Sequence, residues 1–346
     1  MQKKGLSLQR TFFIYMIMIS IKVEFYIYIN KKSKDALGKK GDEYTKKQSK
    51  EEKHSLVKEE IEKWKGVLSP STIGNYMTAL RSLSQYLGKE VDLRNLSQET
   101  IKGYEKWLKD RRISLNTVSC YMRSLRSIAN KICGNNIKSD CFNSVFTGRT
   151  NTEKRSVPES VIVKLRDFEL KPSSFACLVR DLFIFSFYAL GMPFVDLAFL
   201  KKEQIKDDKL TYFRHKTGQN VTIKLEPCMK SILNRYLADN RDYVFPIISS
   251  SNNDQAYDEY LMMLNRYNRE LKKLAKKTGI QNRLTSYTPR HTWASIAYNN
   301  RIDLHIISKA LGHTNPQTTL TYIRQIDDTR LEEANHSIVA KVNSLY

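Results

Sequence analysis

The side chains best suited to chemistry lie in the C-terminal part of the chain. Arg290 and His291 open an amphipathic segment within TSYTPRHTWASIAYNN, Leu311-Gly312-His313 follows some 20 residues later, and Tyr322 lies nine residues beyond His313. Upstream, the β-prone runs 210–216 and 220–225 flank Thr217-Gly218, which predicts a hairpin with Lys216 at its tip. Such groups could break a phosphodiester without metal or water. A hydroxyl attacks phosphorus, fixed cations meet the charge on the non-bridging oxygens, and an acid protonates the leaving oxygen. Taken singly, each has an ordinary explanation: Tyr322 is one of 19 tyrosines, Arg290 a surface arginine, His313 a cap after a Leu-Gly turn. No Gly-rich nucleotide loop, HExxH helix or paired-carboxylate motif accompanies them. ATP-driven and metal-driven chemistry therefore lack support, and no cofactor is expected.

These groups need a scaffold and a partner. The 346 residues suffice for two or three domains with sizeable cores. Lys and Arg number 58 against 36 Asp and Glu, a formal +22, spread as +7 over residues 1–55, +7 over 56–149 and +8 over 150–346. A basic surface distributed over the whole body suits a polyanion held along its length, nucleic acid first. The 41% hydrophobic content argues against wholesale disorder. The five cysteines (Cys120, Cys133, Cys141, Cys177, Cys228) form no CxxC pair. No disulfide framework or zinc ribbon follows, and a reducing, cytoplasmic location fits.

Residues 1–55 read as an N-terminal arm or linker. The apolar run Phe12–Ile21 follows a basic leader, but ten helical residues reach about 15 Å, half of a roughly 30 Å hydrocarbon core. Lys22 and Glu24 interrupt it and no small-residue cleavage site follows, so neither secretion nor a membrane partner is expected. A strand pair around 25–29, or a true start near Met16 or Met18, are both open. Residues 56–147 read as a helical domain. Ser71-Thr72 open one helix that Gly88 ends, Ser97 caps a second, and Asn116 or Thr117 starts a third. On the third, Val118, Tyr121, Met122, Leu125, Ile128 and Ala129 share an apolar face, opposite Thr117, Ser119, Arg123 and Arg126. That hydroxyl and arginine stripe, with Thr72 and Tyr76 of the first helix and Arg214 of the hairpin, supplies candidate DNA contacts; an ordinary wet face is the alternative. Residues 148–158 read as a linker and 159–346 as a second, mainly helical domain.

The ordered boxes resemble those of the tyrosine recombinase (phage integrase) family, with a conjugative-transposon flavour in SLNTVSCYMRSLRSIAN. The family's HxxRH box reads Tyr287-Thr-Pro-Arg290-His291 here, its LGH reads Leu311-Gly312-His313, and its nucleophile falls at Tyr322. FSFYALGMPFVDLA (185–198) resembles the first box, and Lys216 falls where the family has its hairpin lysine. The similarity runs from about residue 57 to 340.

What the resemblance implies is specific. The fold is mainly α with a small β-hairpin or sheet: a helical core-binding domain and an α+β catalytic domain forming a C-shaped clamp on double-stranded DNA. Tyr322 forms a 3′-phosphotyrosyl link, freeing a 5′-hydroxyl, and Arg290 clamps the phosphate. Lys216 serves as general acid or simply touches phosphate. His313 hydrogen-bonds the phosphate, Tyr287 stands at the box's first histidine, His291 supports, and Asp196 orients other site residues from behind them. Recombination proceeds in a synaptic tetramer from monomers or dimers on each site, with accessory DNA-bending or excision proteins as possible partners. The C-terminal segment, with Leu331, Ile338, Val339, Val342 and Leu345, packs on a neighbour. One feature departs from the pattern: the first-box arginine is missing, its two alternative positions being Pro193 and Leu190. Arg180 and Arg214 are the candidates to replace it. A site-specific recombinase of a mobile element is therefore set against a catalytically silent DNA-binding protein derived from one.

Overall fold

The computed structural model describes residues 57–133, 139–150, 155–238, 241–315, 317–322 and 335–341. The expectations for residues 1–55, and for Leu331, Val342 and Leu345, lie outside them. The chain divides between Thr150 and Asn151 into two compact units.

The first unit is helical. After α1 (57–63) come α2 (Pro70–Leu87), α3 (Gln98–Asp110) and α4 (Leu115–Cys133). Ser69, with its hydroxyl accepting from the Thr72 amide, caps α2, Pro70 presets the first turn, and Gly88 ends it. The helix thus begins just before the expected Ser71, because the Ser69-Pro70 pair supplies cap and φ together. Ser97 caps α3 as expected, through the Thr100 amide. α4 begins at Leu115, a residue or two early, where Ser114 accepts from the Thr117 amide. Ile73, Leu80 and Leu83 of α2 meet Val118, Met122, Leu125 and Ile128 of α4 in one core, and Tyr86, Tyr104 and Trp107 form an aromatic cluster beside it.

Two candidate DNA contacts are corrected here. Tyr76 is buried and its hydroxyl bonds Ser127 Oγ at 2.7 Å, joining α2 to α4 rather than facing a partner. Ser119 is fully buried and donates to the Gly148 carbonyl at 2.7 Å. Its neighbour Asn116 brackets the backbone of Thr150 with two further bonds. This face of α4 is covered by the 141–150 strand of chain, a long-range contact that helical periodicity does not reveal. Arg123 remains exposed, and Thr72, Thr117 and Arg126 are partly so.

The second unit is built around α6. α5 (Glu159–Arg166) precedes it, and α6 (Phe175–Tyr188) is apolar nearly all round, with nine buried residues from Cys177 to Ser186. Such a helix must be covered on every side. α5, α8 (Pro227–Leu233), α9 (Asn253–Lys277) and α10 (Thr288–Asn299) all pack on it. Between α7 (Phe194–Ala198) and α8 lies an antiparallel sheet of β1 (Ile205–Lys206), β2 (Lys209–Phe213) and β3 (Asn220–Lys224). The expected hairpin is present, with Lys216 in its turn; the two-residue β1 is additional. The register pairs Leu210 with Ile223 and Tyr212 with Val221, all facing the core. α11 (Leu304–Ala310) and α12 (Gln317–Leu320) follow, and 335–341 is again helical. In that last helix Ile338 and Val339 are exposed. Among the described residues no helix is long and apolar enough to cross a membrane.

The buried Ser119 hydroxyl gives a check on the first unit. Ser119→Ala is expected to lower unfolding free energy by about 1–2 kcal/mol in urea titration, by orphaning the Gly148 carbonyl. An unchanged stability would contradict this burial.

Candidate active site

Three turns bring the site together. The first closes α6, where Leu190 (φ 56°) and Gly191 (φ 70°) are both left-handed. A Cβ on Gly191 would lie 2.7 Å from the Arg290 Cα, so only glycine lets the start of α10 approach this turn. Pro193 follows, buried, with the φ of −60° that starts α7. The second is the hairpin turn, where Gly218 N bonds the Arg214 carbonyl. The third is Leu311-Gly312, after α11. Gly312 has φ 61°, and a Cβ there would collide with the Arg214 side chain.

Two guanidinium groups meet between these turns. Arg290 is 2% exposed; its Nη1 donates to the Gly191 carbonyl at 3.0 Å and its Nη2 to the Leu311 carbonyl. Arg214 is 6% exposed, and its Nη1 donates to the same Leu311 carbonyl at 2.7 Å and to that of Gly312 at 2.9 Å. Each Nε is buried without a hydrogen-bond partner. Behind Arg214, Asp196 Oδ2 stands 3.7 Å from its Nε, while Oδ1 accepts from the His215 amide at 2.9 Å. The His215 ring lies 3.2 Å from that oxygen and rests on Phe199. Asp196 therefore ties the root of the Lys216 turn to α7. Burial, then the neighbouring Arg214 charge, pushes the Arg290 pKa down.

The imidazoles and the phenol complete the cluster. His313 Nε2 lies 3.0 Å from Arg290 Nη2 and its Nδ1 2.9 Å from Thr319 Oγ1. Burial, followed by the charges of Arg290, Arg214 and Lys216, pushes the His313 pKa down to about 3. The Tyr322 ring lies 4.7 Å from His291 and 5.1 Å from His313, centroid to centroid, with the Arg290 guanidinium carbon 5.3 Å from its centre. The Tyr322 carbonyl is approached at 3.4 Å by both His291 Nδ1 and Ser295 Oγ. A small core of Ala294, Ala297, Ile307 and Leu311 supports the ring from α10 and α11.

Of the expected site residues, Arg290, His291, His313, Tyr322 and Asp196 come together with Arg214. Lys216 is exposed in the turn, close enough for its charge to act on His313. Tyr287 is exposed at the start of α10, below Arg155. Arg214 is not the surface DNA contact expected of it: it is buried beside Arg290. Arg180 does not reach the site at all. It is committed to Asp181 and the Phe168 carbonyl, in a cluster with Arg235 and Tyr236 on Asp181. Sequence reasoning missed Thr319 and the His215–Asp196 contact.

Comparison with known proteins identifies the family and the fold. Residues 161–328 match the model of the phage integrase family, and residues 54–143 match that of the phage integrase SAM-like domain. The chain belongs to the phage integrase family. A tyrosine recombinase from Pseudothermotoga lettingae is 24% identical to this integrase-family chain over 282 residues, 78% of the chain and 92% of the relative. Two solved folds are similar. One is the Tn1549 transposon integrase in complex with transposon right end DNA, with a TM-score of 0.59 at 13% identity, covering 83% of this chain and 99% of that one. The other is a lambda integrase tetramer bound to a Holliday junction, with a TM-score of 0.57 at 15% identity, covering 75% and 74%. The two-domain tyrosine recombinase fold expected from the sequence is therefore the fold of this chain, mainly helical with a small sheet.

His313 provides a check on the site's electrostatics. The unfolded chain binds a proton on this residue near its ordinary pKa, whereas the folded chain resists until about pH 3. The neutral ring's contribution to stability is thus present above about pH 6.5 and is lost as pH falls toward 3. In His313→Gln, denaturant midpoints between pH 6.5 and 4 should fall less steeply with acidification than in the native chain. Equal slopes would contradict this assignment.

Proposed function

We propose that this chain is a site-specific DNA strand transferase of a mobile element, cleaving and rejoining duplex DNA through Tyr322. The phenolic oxygen attacks phosphorus as its proton passes to water, a 3′-phosphotyrosyl bond forms as the bond to the 5′-oxygen breaks, and that oxygen leaves with a proton from Lys216, which water then reprotonates. The bond energy is kept in the ester, so a partner strand's 5′-hydroxyl can reverse the step without ATP. Arg290 and Arg214 clamp the non-bridging oxygens, His313 adds a hydrogen bond, His291 holds Tyr322, and Asp196 positions Arg214 and the Lys216 turn. Tyr287, at the mouth of the site, offers a phenol to the DNA backbone.

One observation carries this reading: two buried guanidinium groups converge on the Leu311 carbonyl beside the Tyr322 ring, each with an Nε that makes no hydrogen bond. Such preorganised donors favour a transition state in which phosphate oxygens gain charge. Arg214 supports activity despite Pro193 and Leu190, because it brings a second guanidinium from the hairpin instead of the first box. The alternative of a silent DNA-binding protein loses its main ground there. The relatives' complexes with DNA, and the tetramer of one of them, support duplex DNA as partner and a synaptic tetramer as working assembly. Thr72, Thr117, Arg123 and Arg126 are the contacts we assign to the first unit, with residues 56–147 as core-binding domain, 148–158 as linker and 159–346 as catalytic domain. The basic charge implies binding that weakens steeply with salt.

A nicked duplex spanning the ends of the protein's own element tests the chemistry. An SDS-stable protein–DNA adduct is expected with the native chain and none with Tyr322→Phe, which should still bind. Arg214→Ala should slow adduct formation by ~10²–10³, whereas Arg180→Ala, if folded, should leave its rate per bound DNA unchanged. Adduct from Tyr322→Phe would overturn the nucleophile, and full activity in Arg214→Ala would overturn the clamp.

A further inference from the structure

The bonds around His313 hold more information than its place in the site. A guanidinium has donors only, so the contact between Arg290 Nη2 and His313 Nε2 requires that nitrogen to accept. The neutral ring then carries its proton on Nδ1 and donates it to Thr319 Oγ1, 2.9 Å away. In this form His313 offers a lone pair, not a proton, to the space beside Arg290. An entering phosphate or sulfate oxygen would meet that lone pair repulsively.

We propose that Thr319 is a positioning residue that switches the tautomer of His313 when an oxyanion enters the site. The Thr319 hydroxyl is fully buried and can serve as acceptor or donor by rotating about one bond. In the empty site it accepts from Nδ1–H. With the anion bound, Arg290 turns its Nη2 hydrogens to the oxyanion, the hydroxyl rotates and donates to Nδ1, and Nε2–H points at the anion. One N–H bond breaks at Nδ1 and one forms at Nε2, with water carrying the proton and no change in net charge.

The alternative is uptake of a proton to form imidazolium, and the surroundings oppose it. The charged groups facing His313 are Arg290 from α10 and Arg214 and Lys216 from the hairpin, all cationic, with the Tyr322 ring against its other side. Among the described residues no carboxylate makes an ion pair with the ring. A switch that adds no positive charge suits this setting, and a rotatable hydroxyl is the simplest partner for it. The inference rests on the anion-binding reading of the site and is independent of Tyr322 as nucleophile.

Nitrogen-15 NMR of histidine-labelled full-length protein tests it, with sodium sulfate as the probe against sodium chloride at matched ionic strength. His313→Gln assigns the signals among the six histidines. Without sulfate, His313 should show protonated Nδ1 and bare Nε2. With sulfate the two should exchange places, and calorimetry in buffers of different ionisation enthalpy should find no net proton uptake. Thr319→Ser should behave as the native chain, while Thr319→Val should show mixed tautomers without sulfate and bind sulfate about tenfold more weakly. An imidazolium in the sulfate-bound state, no response of His313 to sulfate, or native behaviour in Thr319→Val would each overturn the proposal. A missing covalent adduct together with a normal tautomer exchange would instead fault Tyr322 alone.

Discussion

Two like charges buried side by side set the terms for the second unit. Arg290 and Arg214 each lose most of their water, and the Arg214 charge adds to the cost of the Arg290 charge. Backbone carbonyls of Gly191, Leu311 and Gly312 offset part of that cost, and Asp196 offsets more behind Arg214. Carbonyl dipoles hold a guanidinium in place without neutralising it. A carboxylate on Arg290 would satisfy the group and also compete with phosphate. The arrangement therefore keeps positive potential in reserve, which is what a developing phosphorane dianion requires.

Much of the second unit follows from that constraint. The three carbonyls must point inward at fixed positions, so the chain makes left-handed turns at Gly191 and Gly312, each closed against an arginine side chain or backbone. α6, buried on every side, anchors the first of these turns, and the packing of α10 on α11 anchors the other. Tyr322 then rests on the same α10–α11 core, between His291 and His313. Tyr322 and Arg290 are thus positioned by one set of packing contacts, and substitutions in that core should disturb both together.

Reading the sequence found the local and ordered features. Arg290, His313 and Tyr322 announce themselves through neighbours in TPRHTW and LGH, and alternation of residue types predicts the hairpin. Features that depend on distant contacts were harder to see. Periodicity puts Tyr76 on the apolar stripe of its helix but does not show that its hydroxyl meets Ser127 across 51 positions, and it misplaced Ser119, which meets Gly148 across 29, on a wet face. Arg214 was readable in part. Leu210 and Tyr212 face inward on β2, and continuing that alternation past the strand's end brings Arg214 in as well. Its charge argued for the surface, and the acceptors that make burial tolerable lie nearly 100 residues away. Thr319 carried no signal, because it is one of three threonines in QTTLT and nothing marks it out until its imidazole partner is known.

The central claim is that Arg214 supplies the missing second clamp by opposing charge on the phosphate. The most direct measurement compares cleavage of two nicked duplexes differing only at the scissile phosphate, one native and one a neutral methylphosphonate. If Arg214 acts through charge, Arg214→Ala should be severely slowed on the native diester and far less impaired on the methylphosphonate, where little charge needs clamping. An equal penalty on both substrates would contradict the account and leave Arg214 as a structural brace between the hairpin and the Leu311-Gly312 turn.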